Sequence, residues 1–221
     1  MAPHPVIPAE LTRGPFTLVE ARRAGLTGRQ LQGTSWRRIG SSLYVWAALG
    51  DDPVLLIAAL HRSLPVGAAF SGKTAAWLHG LDLPPCAPVE VTIPESCGTS
   101  ARAGMAVRRG DLPDQDVVER RGMRVTSAVR TLADLSSRLP LVEAVVAMDM
   151  ALHREAVDLE QVHAYVAARA RRKGVARLRK VVELAEPASE SAMETRLRLL
   201  LVQAGLPRPA AQVPLYDERG R

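Results

Sequence analysis

From Ser127 onward, apolar residues recur at three- and four-residue spacing in one segment after another, which commits the second half of the chain to helices. Ser127–Leu139, Leu141–Arg154, Leu159–Arg169 and Val175–Ala185 each read as one helix. In the last of these, Val175, Leu178, Val181, Val182 and Ala185 share a stripe. Pro187 and Ser189 separate a final helix, whose apolar stripe is Met193, Leu197, Leu200, Leu201 and Ala204. Gly205-Leu206-Pro207 closes it. With three Trp, three Tyr and two Phe, the core must be made of Leu, Val and Ala, which also favours helices.

The first half is mixed. Residues 1–14 carry three prolines and read as a flexible arm. Thr17 with Glu20 forms a capping box, and Gly25 ends the short helix that follows. A second helix is expected from Leu26-Thr27 through Gln32, broken by Gly33-Thr34-Ser35. Two β segments, Trp36–Ile39 and Ser42–Trp46, follow around Gly40. The whole stretch 15–48 therefore reads as a winged helix-turn-helix, with Phe16, Val19, Ala24, Leu26, Leu31 and Ile39 as its small core.

Beyond it, Asp51-Asp52-Pro53 opens a helix that stops at Leu64-Pro65, and another short one runs from Ser71 to His79. Pro88–Pro94 alternates as a strand, and Met105–Arg109 and Asp116–Thr126 add strand-like segments, the latter broken at Gly122. Residues 51–186 form an α+β middle region passing into a helical bundle. The fold class is α+β and helix-rich. Ala211–Tyr216 reads as a strand leading into a hairpin turn at Asp217–Gly220 with no returning strand, so 189–221 is expected to be an incomplete domain.

The formal charge of +6 suits a polyanionic partner, since each base that neutralises a phosphate releases a counterion. Of the 29 basic residues 26 are Arg, so genome base composition accounts for the excess equally well. The N-terminus lacks the basic and apolar regions of a secretory signal, and the longest apolar run, Val54–Leu60, is too short to span a membrane. Cys86 and Cys97 have no metal-ligand spacing and read as two reduced thiols. The expectation is a cytoplasmic protein without a cofactor or metal.

Gly67–Thr74 fits the Walker A pattern letter for letter. A phosphate loop, however, requires a buried strand entering it and a helix leaving it. Here a helical segment ending at Pro65 precedes the motif, and the Walker B-like run Val145–Asp149 lies inside a helical pattern, so the match reads as accidental. Seven bases within twelve positions (Arg169, Arg171, Arg172, Lys173, Arg177, Arg179 and Lys180) suit either a phosphate track or a solvated helix face. Ser191 with Glu194 is a capping box, and Glu194–Arg198 and Arg130–Asp134 are expected ion pairs at i,i+4 spacing. In the helix-turn-helix, Arg29, Gln30 and Gln32 are placed to reach base edges in the major groove, with Thr27, Arg37 and Arg38 on phosphates.

The segment GPFTLVEARRAGLTGRQLQGTSWRRIGSSLYV resembles the N-terminal winged helix of AbiEi-type antitoxins from type IV toxin–antitoxin systems. FSGKTAAWLHGLDLP, PVEVTIP and VTSAVRTLADLSSRLPLVEAVVAMDMAL resemble the middle region of bacterial proteins sharing that winged helix. The resemblance implies a sequence-selective binder of double-stranded DNA, either a repressor of its own promoter or a defence-linked protein, with a nucleotidyltransferase toxin as partner. The tail from Ser189 resembles the opening of a very-short-patch-repair-like endonuclease domain of the PD-(D/E)XK class, in which Glu194 matches a Glu near the site. The carboxylates that would hold the metal come later in such domains, so the chain as given is expected to be inactive as a nuclease. The alternative function is accordingly a DNA endonuclease of that class.

Overall fold

The computed structural model describes residues 7–40, 42–49, 53–83, 88–98, 104–171 and 174–213. These divide into two compact units. The first contains residues up to 70, 88–113 and 121–124, and the second 71–83, 114–120 and 125 onward.

The first unit begins with β1 (Phe16–Thr17) and α1 (Leu18–Arg23). Thr17 forms the expected capping box: its N–H donates to Glu20 Oε2 at 2.6 Å, and the Glu20 N–H donates back to Thr17 Oγ1 at 3.2 Å. Gly25, at φ +83°, ends the helix in the left-handed conformation that suits glycine. β2 (Trp36–Arg38) and β3 (Leu43–Trp46) then pair antiparallel, with Arg37 opposite Val45, and β1 adds to the far side of β3, giving the order β1-β3-β2.

Two expectations in this region are corrected. The helix from Leu26 to Gln32 is a turn followed by a single 3-10 turn over Gln30–Gln32. Gly28 and Gly33 bracket too few residues to repay helix nucleation, and Gly33 is extended. Val19 is not in the core but 56% exposed. It stands roughly 200° around the helix from Ala21, which is buried. Phe16, Leu26 and Leu31 are buried as expected, with Leu11, Ala21 and Trp36 completing the cluster. Phe16 meets Trp36 edge-on at 5.2 Å and stacks on Tyr44 at 6.2 Å.

The rest of the first unit consists of α2 (Pro53–His61), β4 (Ala69–Phe70), β5 (Val89–Ile93) and β6 (Met105–Arg109). β4 runs antiparallel to β5, and β6 runs parallel to β5 in the register Val91–Val107. Gly104, at φ +83°, enters β6 so close to the Ile39 carbonyl that a Cβ there would lie 2.3 Å from its oxygen. β4 falls inside the Walker A-like stretch rather than before it, so Gly67–Thr74 does not wrap as a phosphate loop.

β7 (Val117–Arg120) and β8 (Met123–Thr126) turn at Arg121-Gly122, both at positive φ, as a two-residue hairpin of the primed type requires. The second unit adds α3 (Gly72–Leu78), α4 (Ala128–Arg138), α5 (Leu141–His153), α6 (Leu159–Ala168), α7 (Val175–Leu184) and α8 (Ala192–Gln203). Side chains of Ser127, Asp158 and Ser191 cap α4, α6 and α8. α5 is buried on nearly every side, from Ala144 to Asp149 and at Ala151 and Leu152, and is the axis of the core. The Walker B-like run lies on this helix. The stripe of α7 is buried at Val175, Leu178, Val181 and Ala185, as its spacing requires.

α8 is the exception. Its expected apolar stripe faces outward, with Met193, Leu197 and Leu200 exposed, while Thr195, Arg198 and Leu199 are buried. The expected Glu194–Arg198 pair is replaced by Arg198 with Asp149 on α5, at 2.6 Å. A guanidinium that finds a buried carboxylate fixes which face of the helix turns inward. The strand over Ala211–Tyr216 shows no regular structure at 211–213, and its remainder, the turn at Asp217–Gly220, the first six residues of the arm, Cys86, Arg172 and Lys173 lie outside the described residues.

The capping box has a consequence in acid. The Thr17 N–H first, then Arg62 Nη2 at 2.8 Å, hold the Glu20 carboxyl at a pKa of about 2. Because the folded value lies below the unfolded one, this contribution is complete above the unfolded pKa of about 4.3 and is lost as pH falls towards 2. Amide exchange of α1 is expected to accelerate relative to the second unit between about pH 5 and pH 2. Glu20→Gln should remove that pH dependence.

Candidate nucleic-acid interface

In the first unit a set of basic and amide side chains lies on one short piece of chain. Thr27 and Gln30 bind each other: the Thr27 N–H and hydroxyl both donate to Gln30 Oε1, at 2.7 and 2.8 Å, and the Gln30 N–H donates to Thr27 Oγ1 at 3.3 Å. This repeats the logic of the Thr17–Glu20 cap with a neutral amide, and it holds the turn although no full helix follows. Arg29, Gln30 and Gln32 are all exposed. Arg29 and Gln30 line a hollow of about 210 Å³ together with Leu26, Gly33 and Trp36.

Arg37 and Arg38 are both exposed on β2, the edge strand of its sheet. Neighbours on a strand leave on opposite faces, so the two arginines flank the ribbon rather than sharing one side. Arg38 Nε donates to the Gly40 carbonyl at 2.9 Å, which draws its guanidinium towards the β2–β3 connection. Thus Arg29 and Gln30 come together beside Trp36, Thr27 is spent on local structure, and Arg37 and Arg38 stand on the adjacent ribbon. Arg22 and Arg23, exposed in the last turn of α1, add to the positive surface. Cations at a helix C-terminus also complement its dipole, which accounts for them structurally. A run of long donors of this kind can bind phosphate oxygens and base edges.

Among its described residues the second unit holds two buried carboxylates, both engaged. Asp149 Oδ1 accepts the Glu186 N–H at 2.7 Å, and Oδ2 accepts the Thr195 hydroxyl at 2.8 Å and Arg198 Nη2 at 2.6 Å. Burial pushes the Asp149 carboxyl above its ordinary range, and these three donors pull the other way. Asp116 accepts Arg130 Nη1 at 3.0 Å and Arg169 Nη2 at 2.7 Å, and Arg169 lies 3.8 Å over the Tyr165 ring. Arg130 also makes the expected pair with Asp134, at 3.1 Å. Burial first, then Asp116, raises the Tyr165 phenol above its usual value. Within the basic run, Arg169 is therefore a structural tie, Arg177 donates to the Leu139 carbonyl and Lys180 pairs with Glu183. Glu194 braces the start of α8, which Ser191 caps. It accepts the Ser191 hydroxyl at 2.9 Å, the Glu190 N–H at 3.1 Å and Gln212 Nε2 at 3.0 Å. The Glu190 N–H first, then Ser191, lowers its carboxyl below the usual range. No group of three or more metal-ligating side chains gathers among the described residues, and no helix among them is long and apolar enough to cross a membrane.

The crystal structure of the RV2827C protein from Mycobacterium tuberculosis superposes with a TM-score of 0.52 over 92% of this chain and 78% of that one, at 15% identity, a likeness of fold alone. Uncharacterized protein MT2308 of M. tuberculosis (strain CDC 1551 / Oshkosh) is 26% identical over 176 residues. Uncharacterized protein Rv2248 of M. tuberculosis (strain ATCC 25618 / H37Rv) shows the same identity over the same length. In both, the match takes in 80% of this chain and 64% of the relative, so the chain spans less than two thirds of the curated relatives it matches. Residues 67–184, more than half of the chain, match the model of the AbiEi antitoxin C-terminal domain, and the chain belongs to that family.

Proposed function

We propose that this chain is an antitoxin that binds double-stranded DNA at its own promoter through a winged helix-turn-helix at residues 15–48. The observation that carries the reading is the cluster of exposed Arg29, Gln30, Gln32, Arg37 and Arg38 around a β ribbon, on a chain that carries an AbiEi antitoxin C-terminal domain at residues 67–184. Arg29 and Gln30, beside the hollow at Trp36, read bases. Gln32 reaches the same groove. Arg37 and Arg38 clamp the backbone from the two faces of β2 as a wing, and Thr27, whose N–H and hydroxyl both donate to Gln30, sets the angle of the turn rather than touching phosphate. The AbiEi likeness supports a toxin as second partner, which in this reading is a nucleotidyltransferase, with the protein acting in the cytoplasm beside the DNA it binds.

The test is fluorescence anisotropy with the natural promoter and a scrambled duplex across a salt series. Tighter promoter binding that persists at physiological salt is expected. Arg37→Ala with Arg38→Ala should weaken binding to both duplexes about tenfold or more and reduce the salt slope by about 2. Arg29→Ala should instead narrow the gap between promoter and scrambled DNA. Equal, salt-labile affinity for both duplexes in the unmodified protein would sink the proposal.

A further inference from the structure

We propose that the first half of α7, with the turn before it, is a second contact with duplex DNA, one that grips phosphates and reads no bases. The charge of the chain is concentrated there. Residues 169–180 hold seven bases and no acid, residues 1–48 hold six bases against two acids, and the rest of the chain holds 16 against 21. The formal excess of +6 therefore comes from two stretches of a chain that is otherwise acidic. The first carries the candidate DNA contacts described above, and the second lies in the second unit. A polyanion is drawn to both and repelled by the remainder.

The fold consumes only part of this charge. Arg169 is held by Asp116. Arg171, Arg177, Arg179 and Lys180 are all exposed. Among the described residues Arg171 and Arg179 have no ion-pair partner. The pair of Lys180 with Glu183 lies in solvent, with side chains 56% and 63% exposed, where it contributes little. Arg177 gives one donor to the Leu139 carbonyl and keeps the others.

At about 100° per residue, Arg177 and Arg179 leave opposite flanks of α7, on either side of the buried Leu178. Ala176 and Lys180 form the crest between them. A helix with a low crest and long cations down both flanks lies readily against a phosphate backbone. Glu183 comes next on the crest and meets phosphate with like charge, so the contact stops at Lys180. Residues 169–180 also lack the amide side chains that accompany Arg29 in the first unit, which leaves charge without a base-reading set. α7 falls within residues 67–184, so the antitoxin domain itself takes part in binding the duplex. An acidic protein surface would meet the same cations. The duplex is preferred because the other positive stretch is read as DNA-binding, and the choice of polyanion rests on that reading.

Fluorescence anisotropy of the full chain on a scrambled duplex, across a salt series, tests the contact. Arg171→Ala, Arg179→Ala and Lys180→Ala together should reduce the salt slope by about 3 and weaken binding about tenfold or more. The circular-dichroism melt and the ratio of promoter to scrambled affinity should not change, because all three side chains are exposed and none reads bases. Ala176→Cys, in a Cys86→Ser and Cys97→Ser background and carrying an iron–EDTA tether, should cut the duplex backbone at short range. An unchanged salt slope, or no cutting from the tether at saturating duplex, overturns the proposal. Loss of binding to poly-glutamate with duplex binding intact also overturns it, and gives the face to an acidic protein. If the α7 variant flattens the slope while the unmodified chain binds promoter and scrambled duplex equally, this contact stands and the promoter reading proposed above fails.

Discussion

Asp149→Ala is expected to lower stability by about 3–5 kcal/mol, because it removes one partner of a buried ion pair and leaves the other charged and unpaired. It strips the acceptor from Arg198, from the Thr195 hydroxyl and from the Glu186 N–H together. All three donors belong to α8 or to the link before it, so the loss concentrates there. At a cost of that size the melting temperature of a domain this long falls by roughly 10 °C or more. Hydrogen exchange should show the α8 amides losing protection before those of α4 and α5. Replacing the set with apolar residues of similar volume (Asp149→Leu, Thr195→Val and Arg198→Met) should recover most of the loss, since buried ion pairs owe their importance largely to the cost of breaking them. A drop of less than about 1 kcal/mol in Asp149→Ala would mean that Arg198 finds another acceptor, or water, without cost.

Asp116→Ala is the second large effect, expected at about 3 kcal/mol. Asp116 sits in a single 3-10 turn ahead of β7 and bridges Arg130 near the start of α4 to Arg169 at the end of α6. Without it Arg169, largely buried, loses its carboxylate partner, and Arg130, also largely buried, keeps only Asp134. Arg169→Ala alone should cost less, because Arg130 keeps both Asp116 and Asp134. The double variant should therefore lose clearly less than the sum of its parts, and a double-mutant cycle on urea denaturation measures that coupling. Strict additivity would show that the bridge is no bridge. Asp116→Asn, which keeps the shape and the acceptor oxygen, should lie between the unmodified protein and the Ala variant.

What the sequence made legible, and what it hid, follows the range of the interactions concerned. The caps at Thr17, Ser127 and Ser191, the stops at Gly25 and Gly205, and the helical periodicity of α4 to α7 are written within a few residues of where they act, and the structure has them in place. The face that α8 buries was hidden. It is decided by Asp149, nearly fifty positions earlier, and an i,i+4 rule applied to Glu194 and Arg198 pointed the wrong way. The turn at Gln30–Gln32 was overextended for a related reason: Thr27 and Gln30 carry the signature of a helix start, yet Gly28 and Gly33 leave no length for one. Among the candidate DNA contacts, the residue types were readable from spacing. That Thr27 and Gln30 bind each other, and that Trp36 backs a hollow beside Arg29, required the fold.

The close approach of Gly104 to the Ile39 carbonyl bears on how such a protein can be cut and recombined. The base of the arginine-bearing ribbon rests on the first residue before β6, sixty-five positions downstream, at a place where any side chain larger than hydrogen collides with backbone. A recombinant piece ending after β3 would take the ribbon away from its seat, and a graft of residues 15–48 onto a foreign protein would arrive without it. The inheritable module is thus discontinuous along the chain: whatever exchanges the ribbon between relatives must carry Gly104 with it, or supply another glycine in the same place.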